Sequence, residues 1–240
     1  MEIIICKNHE EVSEKAKELV VKQLQRKPMS TLGFPTGSTP ILLYKKLVDA
    51  YKKHLITFKN VRSFNLDEYV GIEPTHPQSY HQFMDDHLFS HIDIEKKNVY
   101  LPKNDPTHAH ENARLYNDLL KKYQIDLQIL GIGTNGHIGF NEPGTPLGQE
   151  TFVVDLNEGT RQDNLKFFNH IDEVPYQAMT MGIKNIMNSR KIILMASGES
   201  KSEAIYQMIK GPVTEQLPAS VLQLHPQVIV ILDEAAASKL

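Results

Sequence analysis

Leu127-Gln-Ile-Leu-Gly-Ile-Gly-Thr-Asn-Gly-His-Ile-Gly-Phe-Asn-Glu-Pro-Gly144 decides how this chain is to be read. The apolar run Leu127–Leu130 has the length and composition of a buried strand. The residues after it cannot become a helix, because five glycines and Pro143 interrupt residues 131–144. Glycines let a backbone turn sharply and approach a ligand closely. Into this loop the sequence sets an imidazole (His137), a carboxylate (Glu142) and two carboxamides (Asn135, Asn141). Proton-transfer groups on a loop at the carboxyl end of a strand are where an α/β protein does its chemistry. The same residues also spell Gly131-x-Gly-x-x-Gly136, with Asp155 about 20 residues further on, the outline of a dinucleotide fingerprint. That fingerprint needs a helix starting at its last glycine. Gly139, Pro143, Gly144 and Pro146 come instead, so nicotinamide binding is rejected.

Outward from this loop, short apolar runs alternate with amphipathic ones. The pattern predicts one α/β domain over residues 1–240, a mostly parallel, Rossmann-like sheet with helices on both faces. Strands are expected at residues 3–6, 31–34, 61–66, 99–101, 127–130, 151–156, 191–196 and 227–232. Helices are expected at 9–25, 40–54, 80–90, 108–123, 178–188, 200–210 and 218–224. Asn8 is placed to cap the first helix, with Glu11 answering in a capping box. The polar segment 157–175 fits neither type. The length, 240 residues, is ample for a substantial core.

A net charge of −3 with mixed signs offers no basic face, so nucleic acid is not an expected partner. Cys6 is the single cysteine, which excludes an internal disulfide and fits a reducing cytoplasm. No apolar run is long enough for a signal peptide or a membrane span. His87 and His91 stand one helical turn apart, but no third ligand follows with metal-site spacing. The expectation is a soluble cytoplasmic protein that acts on a small molecule.

Two further strand ends carry polar chemistry. Gly33-Phe-Pro-Thr-Gly-Ser-Thr-Pro40 is a strand-to-helix turn rich in hydroxyls, and unpaired amides at a helix start suit a phosphate. It lacks the Gly-Lys-Ser/Thr ending of a nucleotide-binding loop. An ordinary helix capped by Ser38 or Thr39 accounts for it equally well. Phe64-Asn-Leu-Asp-Glu-Tyr-Val-Gly71 sets Asp67 beside Glu68 at a strand end, and like charges so close raise a pKa toward the range of a general base. Alone, an Asp in a turn is more commonly a backbone acceptor. Three such loops at one end of one sheet converge on one crevice, which makes the joint case stronger than any part.

Taken together, Asn65-Leu-Asp-Glu-Tyr-Val-Gly71, the Gly-His-Ile-Gly-Phe-Asn-Glu-Pro core of residues 136–143, and Pro35-Thr-Gly-Ser-Thr-Pro40 resemble the glucosamine-6-phosphate deaminases. The likeness runs through essentially the whole chain, including Leu222-Gln-Leu-His-Pro226. It implies an aldose–ketose isomerisation with deamination, glucosamine 6-phosphate and water giving fructose 6-phosphate and ammonium, with no metal or organic cofactor. It further implies that Asp67 moves a proton between C2 and C1, that His137 assists opening of the sugar ring, and that Glu142 orients His137. Thr36, Gly37, Ser38, Thr39 and Lys201 match the family's phosphate site.

Two positions depart from the family pattern. Asn135 stands where many members carry Asp, and is read as a hydrogen-bonding substitute. Lys166 stands where members tend to carry Arg, in a segment, 157–175, expected to act as a lid; it keeps the charge and loses the bidentate fork. Larger members are allosteric hexamers with a longer C-terminus, and a monomer is expected here. The 6-phosphogluconolactonases share the fold and a Gly-x-Gly-x-x-Gly-His loop, but lack the Phe-Asn-Glu-Pro run, so Glu142 discriminates against them. A sugar-phosphate sensor domain of a transcriptional regulator would need an attached DNA-binding module and no catalytic trio.

Overall fold

The strands form where residues can be buried on both faces. Residues of Ile192–Ala196 and Val228–Asp233 are buried without exception, as the central strands of a parallel sheet require. In the computed structural model, which describes residues 1–156, 158–165, 168 and 170–240, these are β9 and β10. The elements before them run β1 (Glu2–Cys6), α1 (His9–Arg26), β2 (Thr31–Phe34), α2 (Ile41–Lys52), β3 (Arg62–Asn65), β4 (Asp67–Tyr69), α3 (Tyr80–His87) and β5 (Val99–Tyr100). Then come α4 (Ala109–Lys122), β6 (Leu127–Leu130), β7 (Phe152–Asp155), α5 (Glu158–Leu165), β8 (Gln177–Thr180) and α6 (Ile183–Met187). Helix α7 (Ser202–Lys210) follows β9, and a 3-10 turn, Pro218–Leu224, leads to β10.

Seven strands pair in the order β1-β10-β9-β6-β2-β3-β5, and every pairing is parallel. Alternate residues face opposite layers. Ile193, Met195, Ile229 and Ile231 meet α1 and α2 through Val12, Val20, Leu43 and Leu47 on one side. Ile192, Leu194, Val228, Val230 and Leu232 meet Tyr116, Ile205, Met208 and Leu222 on the other. The strand order reverses between β2 and β6. From β2 the chain steps outward through β3 to β5; from β6 it steps the opposite way through β9 to β10. The loops leaving β2 and β6 therefore part at a topological switch point, where open α/β sheets bind their ligands.

Asn8 caps α1 as expected, accepting from the Glu11 amide at 3.0 Å, while the Glu11 carboxylate takes the amide of Lys7 rather than that of the cap. The helix expected over 178–188 is corrected. Gln177–Thr180 is a strand, and only Ile183–Met187, opened by Gly182, is helical. Ala178 and Met179 favour helices, but β8 lies between β4 and β7 in a second, antiparallel three-stranded sheet, and that pairing overrides local propensity. The strand over 61–66 likewise ends sooner, and Asp67 begins β4 of this second sheet instead of a loop. Among the described residues, no helix is long and apolar enough to cross a membrane.

Candidate active site

Asp67 sits where the two sheets meet. Leu66 bridges them: its amide donates to the Phe34 carbonyl of β2, and its carbonyl accepts from Met181 just after β8. Asp67 then pairs with Thr180 across β4 and β8. Asp67 is 6% exposed, and its carboxyl has no hydrogen-bond partner among the described residues. Burial, reinforced by the neighbouring charge of Glu68, pushes it up to about 8. The expectation that like charges would lift one carboxylate is met, with burial as the larger cause.

The glycine-rich loop is pinned against this carboxyl. Phe140 N donates to Thr180 Oγ1 at 3.1 Å, and Asn141 Nδ2 donates to the carbonyls of Ile138 (2.7 Å) and Met181 (2.9 Å). Gly139 lies in the contact with φ of 58°; a Cβ there would stand 3.0 Å from Thr180 Oγ1 and 3.5 Å from Asp67 Oδ2. A side chain would wedge the loop off the carboxyl, which is why the position requires glycine. The loop's acid–base groups form one cluster. His137 Nδ1 stands 3.4 Å from Glu142 Oε1, beyond close hydrogen-bond range. Asn135 donates to Glu142 Oε2 at 2.8 Å and accepts from the His137 amide at 3.2 Å. The carboxamide thus bridges the carboxylate and the histidine backbone, a geometry in keeping with its reading as a hydrogen-bonding substitute. Burial alone would raise Glu142, but His137 and Asn135 together outweigh it and hold the group below its ordinary value. The imidazole lies flat over Gly133, where a Cβ would meet its Cε1 at 2.3 Å.

On the β2 side, the helix-cap account of the hydroxyl-rich turn fails. The residue preceding α2 is Pro40, and no side chain caps the helix. Thr36, Ser38 and Thr39 make no side-chain hydrogen bonds among the described residues, and Gly37 and Ser38 are exposed. This leaves three hydroxyls and the first amides of α2 free for an anion. The turn abuts the other loop, Thr39 Oγ1 lying 4.0 Å from the Cβ position of Gly131. Lys201 follows β9, the neighbour of β6, on a turn tied down by Gly198 N donating to both Asp233 oxygens at 3.0 Å. The lysine is half-buried without a counter-charge among the described residues, and burial lowers its pKa. Strand order sets the Lys201 turn, the 131–144 loop and the 36–39 turn side by side.

Lys166 lies outside the described residues, as does part of the expected lid, 157–175. Phe168 of that segment is described. It stands 6.2 Å, centroid to centroid, from Tyr69, whose ring packs at a tilt against Tyr80 and Phe140. Together with Gly37, Ser38 and Phe83, these rings other than Phe140 line a cavity of about 210 Å³ beside the phosphate-type turn. Sequence reasoning missed Thr180 and Asp233, the anchors of two loops. Both are polar residues at strand ends, a weak signal without the fold. Among the described residues, no three His, Cys, Asp or Glu side chains come together to hold a metal ion, and His87 with His91 is no exception.

A buried carboxyl, an imidazole–carboxylate pair and a hydroxyl-rich turn stand together at one switch point of an α/β fold, an arrangement equipped for proton transfer on a small phosphorylated molecule. The chain belongs to the family of glucosamine-6-phosphate isomerases and 6-phosphogluconolactonases, whose model matches residues 7–230. It is 51% identical over 239 residues to a glucosamine-6-phosphate deaminase of Thermoanaerobacter pseudethanolicus, covering 99% of this chain and 94% of that one. It is 49% identical to another of Mycoplasma mycoides, covering 100% and 98%. The solved structure of a monomeric glucosamine-6-phosphate deaminase superposes with a TM-score of 0.96 at 41% identity, covering both chains completely. A 6-phosphogluconolactonase from Trypanosoma cruzi superposes at 0.80 with 20% identity, covering 100% and 96%, and shares the fold.

Proposed function

We infer that the cleft converts glucosamine 6-phosphate and water to fructose 6-phosphate and ammonium. His137 passes a proton from the anomeric hydroxyl to the ring oxygen, opening the pyranose, with Glu142 stabilising the imidazolium that forms in transit. Asp67 takes the C2 proton of the open aldehyde, the electron pair moves through C2–C1 to the carbonyl oxygen, and that oxygen takes a proton from the C2 ammonium, giving a neutral enolamine. Asp67 then returns the proton to C1. The resulting C2 iminium adds water and expels ammonia, which leaves as ammonium. The free hydroxyls of Thr36, Ser38 and Thr39, the amides at Gly37–Thr39, and the Lys201 and Lys166 ammonium groups hold the phosphate.

The observation that carries this reading is the isolated, protonation-prone Asp67 held against the His137 loop. An amino sugar brings its own ammonium to C2, and an opposite charge nearby favours the ionised carboxylate. Substrate binding thereby arms the base. A lactone brings no such charge. The direct test is release of ammonium from glucosamine 6-phosphate with stoichiometric fructose 6-phosphate, using purified protein and no added cofactor. Hydrolysis of 6-phosphogluconolactone without ammonium release would reverse the choice.

Two variants test the phosphate site. Lys201→Gln removes a half-buried cation and is expected to raise KM about 10–100-fold with a smaller change in kcat, since a charge-assisted hydrogen bond is worth roughly 1.5–3 kcal/mol. An unchanged KM would detach Lys201 from the phosphate. Lys166→Arg restores the bidentate fork and is expected to lower KM several-fold; no change would mean that segment 157–175 does not reach the phosphate. We also take the working unit to be a monomer in the cytoplasm. The lone Cys6 fits a reducing compartment, and the 41%-identical neighbour is described as monomeric. Sedimentation of a species heavier than 27.3 kDa would overturn the monomer.

A further inference from the structure

Asp67 and Glu68 leave β3 as like charges, yet the fold treats them oppositely. Successive strand residues point to opposite faces. Glu68 is fully buried with four donors around its carboxylate, whereas among the described residues none reaches Asp67. Glu68 Oε1 accepts the amides of Tyr69 (2.9 Å) and Tyr80 (3.0 Å). Its Oε2 accepts the amide of His81 (3.0 Å) and lies 2.8 Å from His81 Nδ1. Two of these amides open α3, which Ser79 already caps through Gln82 N. Every partner is a donor, the set that suits an acceptor-only carboxylate anion. The imidazole is one-third exposed, so solvent can deliver a proton to it.

We propose that Glu68 and His81 form a positioning pair that sets the proton affinity of Asp67. Glu68 places a fixed negative charge next to the base in a buried setting, and a proton on His81 cancels that charge. The base is thereby held close to the protonation balance that proton transfer in both directions requires. The other titratable groups that interact electrostatically with Asp67 are phenols: Tyr44 on α2, Tyr69 on β4, Tyr80 on α3 and Tyr116 on α4. Burial raises all four above their ordinary value, so they stay neutral while the enzyme works. Met179 and Thr180 of β8, paired with Glu68 and Asp67, bring no charge. His137 and Glu142, on the loop after β6, and Lys201, on the turn after β9, border the same cleft. Among the described residues, Glu68 is the charge that raises Asp67, and His81 is its ionisable partner.

This inference rests on Asp67 as the base, so the experiment reads Asp67 in two ways. The first is titration of its ¹³Cγ resonance by NMR, assigned with Asp67→Asn; the second is the pH dependence of kcat/KM. Glu68→Gln is expected to lower both the Asp67 midpoint and the acid limb by about one pH unit. His81→Lys, a permanent cation beside Glu68, is expected to lower both, and His81→Gln to leave them at or above the wild-type values. A purely structural clamp would lower the unfolding temperature in the variants and leave the midpoints alone. Identical Asp67 midpoints in wild type, His81→Gln and His81→Lys overturn the proposal, even if Glu68→Gln does not fold. Midpoints that move while the acid limb stays fixed support the pair and remove Asp67 from the base role instead.

Discussion

Asp67→Asn is expected to lower kcat by about 10³-fold or more, the upper range of what a positioned general base contributes, with little change in KM. Asp67 is 6% exposed, beside Thr180 and the Gly139 backbone, and an amide of the same shape fits the same space. What the amide loses is the capacity to accept a carbon-bound proton and give it back. The proposed phosphate turn follows another strand, and among the described residues no hydrogen bond joins it to Asp67, so substrate affinity is expected to be retained. The checks are steady-state kinetics and exchange of the C2 hydrogen with solvent. Exchange that continued in the variant at a substantial rate would assign the proton shuttle to another group.

The same substitution has a second, opposite signature in stability. Asp67 is held at about 8 in the folded protein against an ordinary value of 3.8. Because the folded value is raised, the native state keeps a proton that the unfolded chain releases, and stability present below about pH 4 is lost progressively up to about pH 8. At neutral pH the loss is on the order of 4 kcal/mol. Asn has nothing to titrate, so Asp67→Asn should be more stable than wild type at pH 8 and close to it at pH 4. Urea unfolding at pH 5 and pH 8 should show the gap widening by about 3 kcal/mol. A gap that stays constant would mean that the carboxyl is not destabilised by its site. Loss of activity with gain in stability is the pattern of a group placed against its own preference for the sake of chemistry.

The parallel sheet was legible because its central strands are short uninterrupted apolar runs, Ile192–Ala196 and Val228–Leu232 among them, separated by amphipathic helices. The second sheet was not. Asp67–Tyr69 is three residues long, and Gln177, Ala178 and Met179 are residues that local propensity assigns to a helix; only their mutual pairing makes these segments strands. That hidden pairing is also what makes the site. It buries Asp67 beside Thr180, a contact between residues 113 positions apart in the chain. The residues with proton-transfer chemistry could be picked out from their types and loops. Their unequal fates could not, because Asp67 and Glu68 differ in which face of one short strand they occupy, and no local pattern fixes that face. The hydroxyl-rich turn was ambiguous in sequence for a similar reason: whether Ser38 or Thr39 caps a helix depends on where α2 begins, and it begins one residue after Pro40.

His137→Gln is expected to lower kcat by about 10²–10³-fold on the ring-closed sugar phosphate, with KM near wild type. Glutamine keeps a donor and an acceptor near the positions of the ring nitrogens but cannot carry a proton between two oxygens. The backbone that places residue 137 is unaffected, because Asn135 accepts the residue 137 amide and Asn141 fixes the loop to the Met181 carbonyl. Glu142 would lose the imidazole 3.4 Å away and keep Asn135, so the carboxylate should rise from its lowered value. Solvent exchange of the C2 hydrogen separates the two roles. The exchange needs an open chain, so His137→Gln should slow it in proportion to turnover, whereas Asp67→Asn should abolish it however much open-chain sugar is supplied. The free aldehyde forms slowly without help, and turnover by His137→Gln should therefore approach the uncatalysed rate of ring opening at high enzyme concentration. Turnover that kept rising linearly with enzyme beyond that rate would show that the histidine is not what opens the ring.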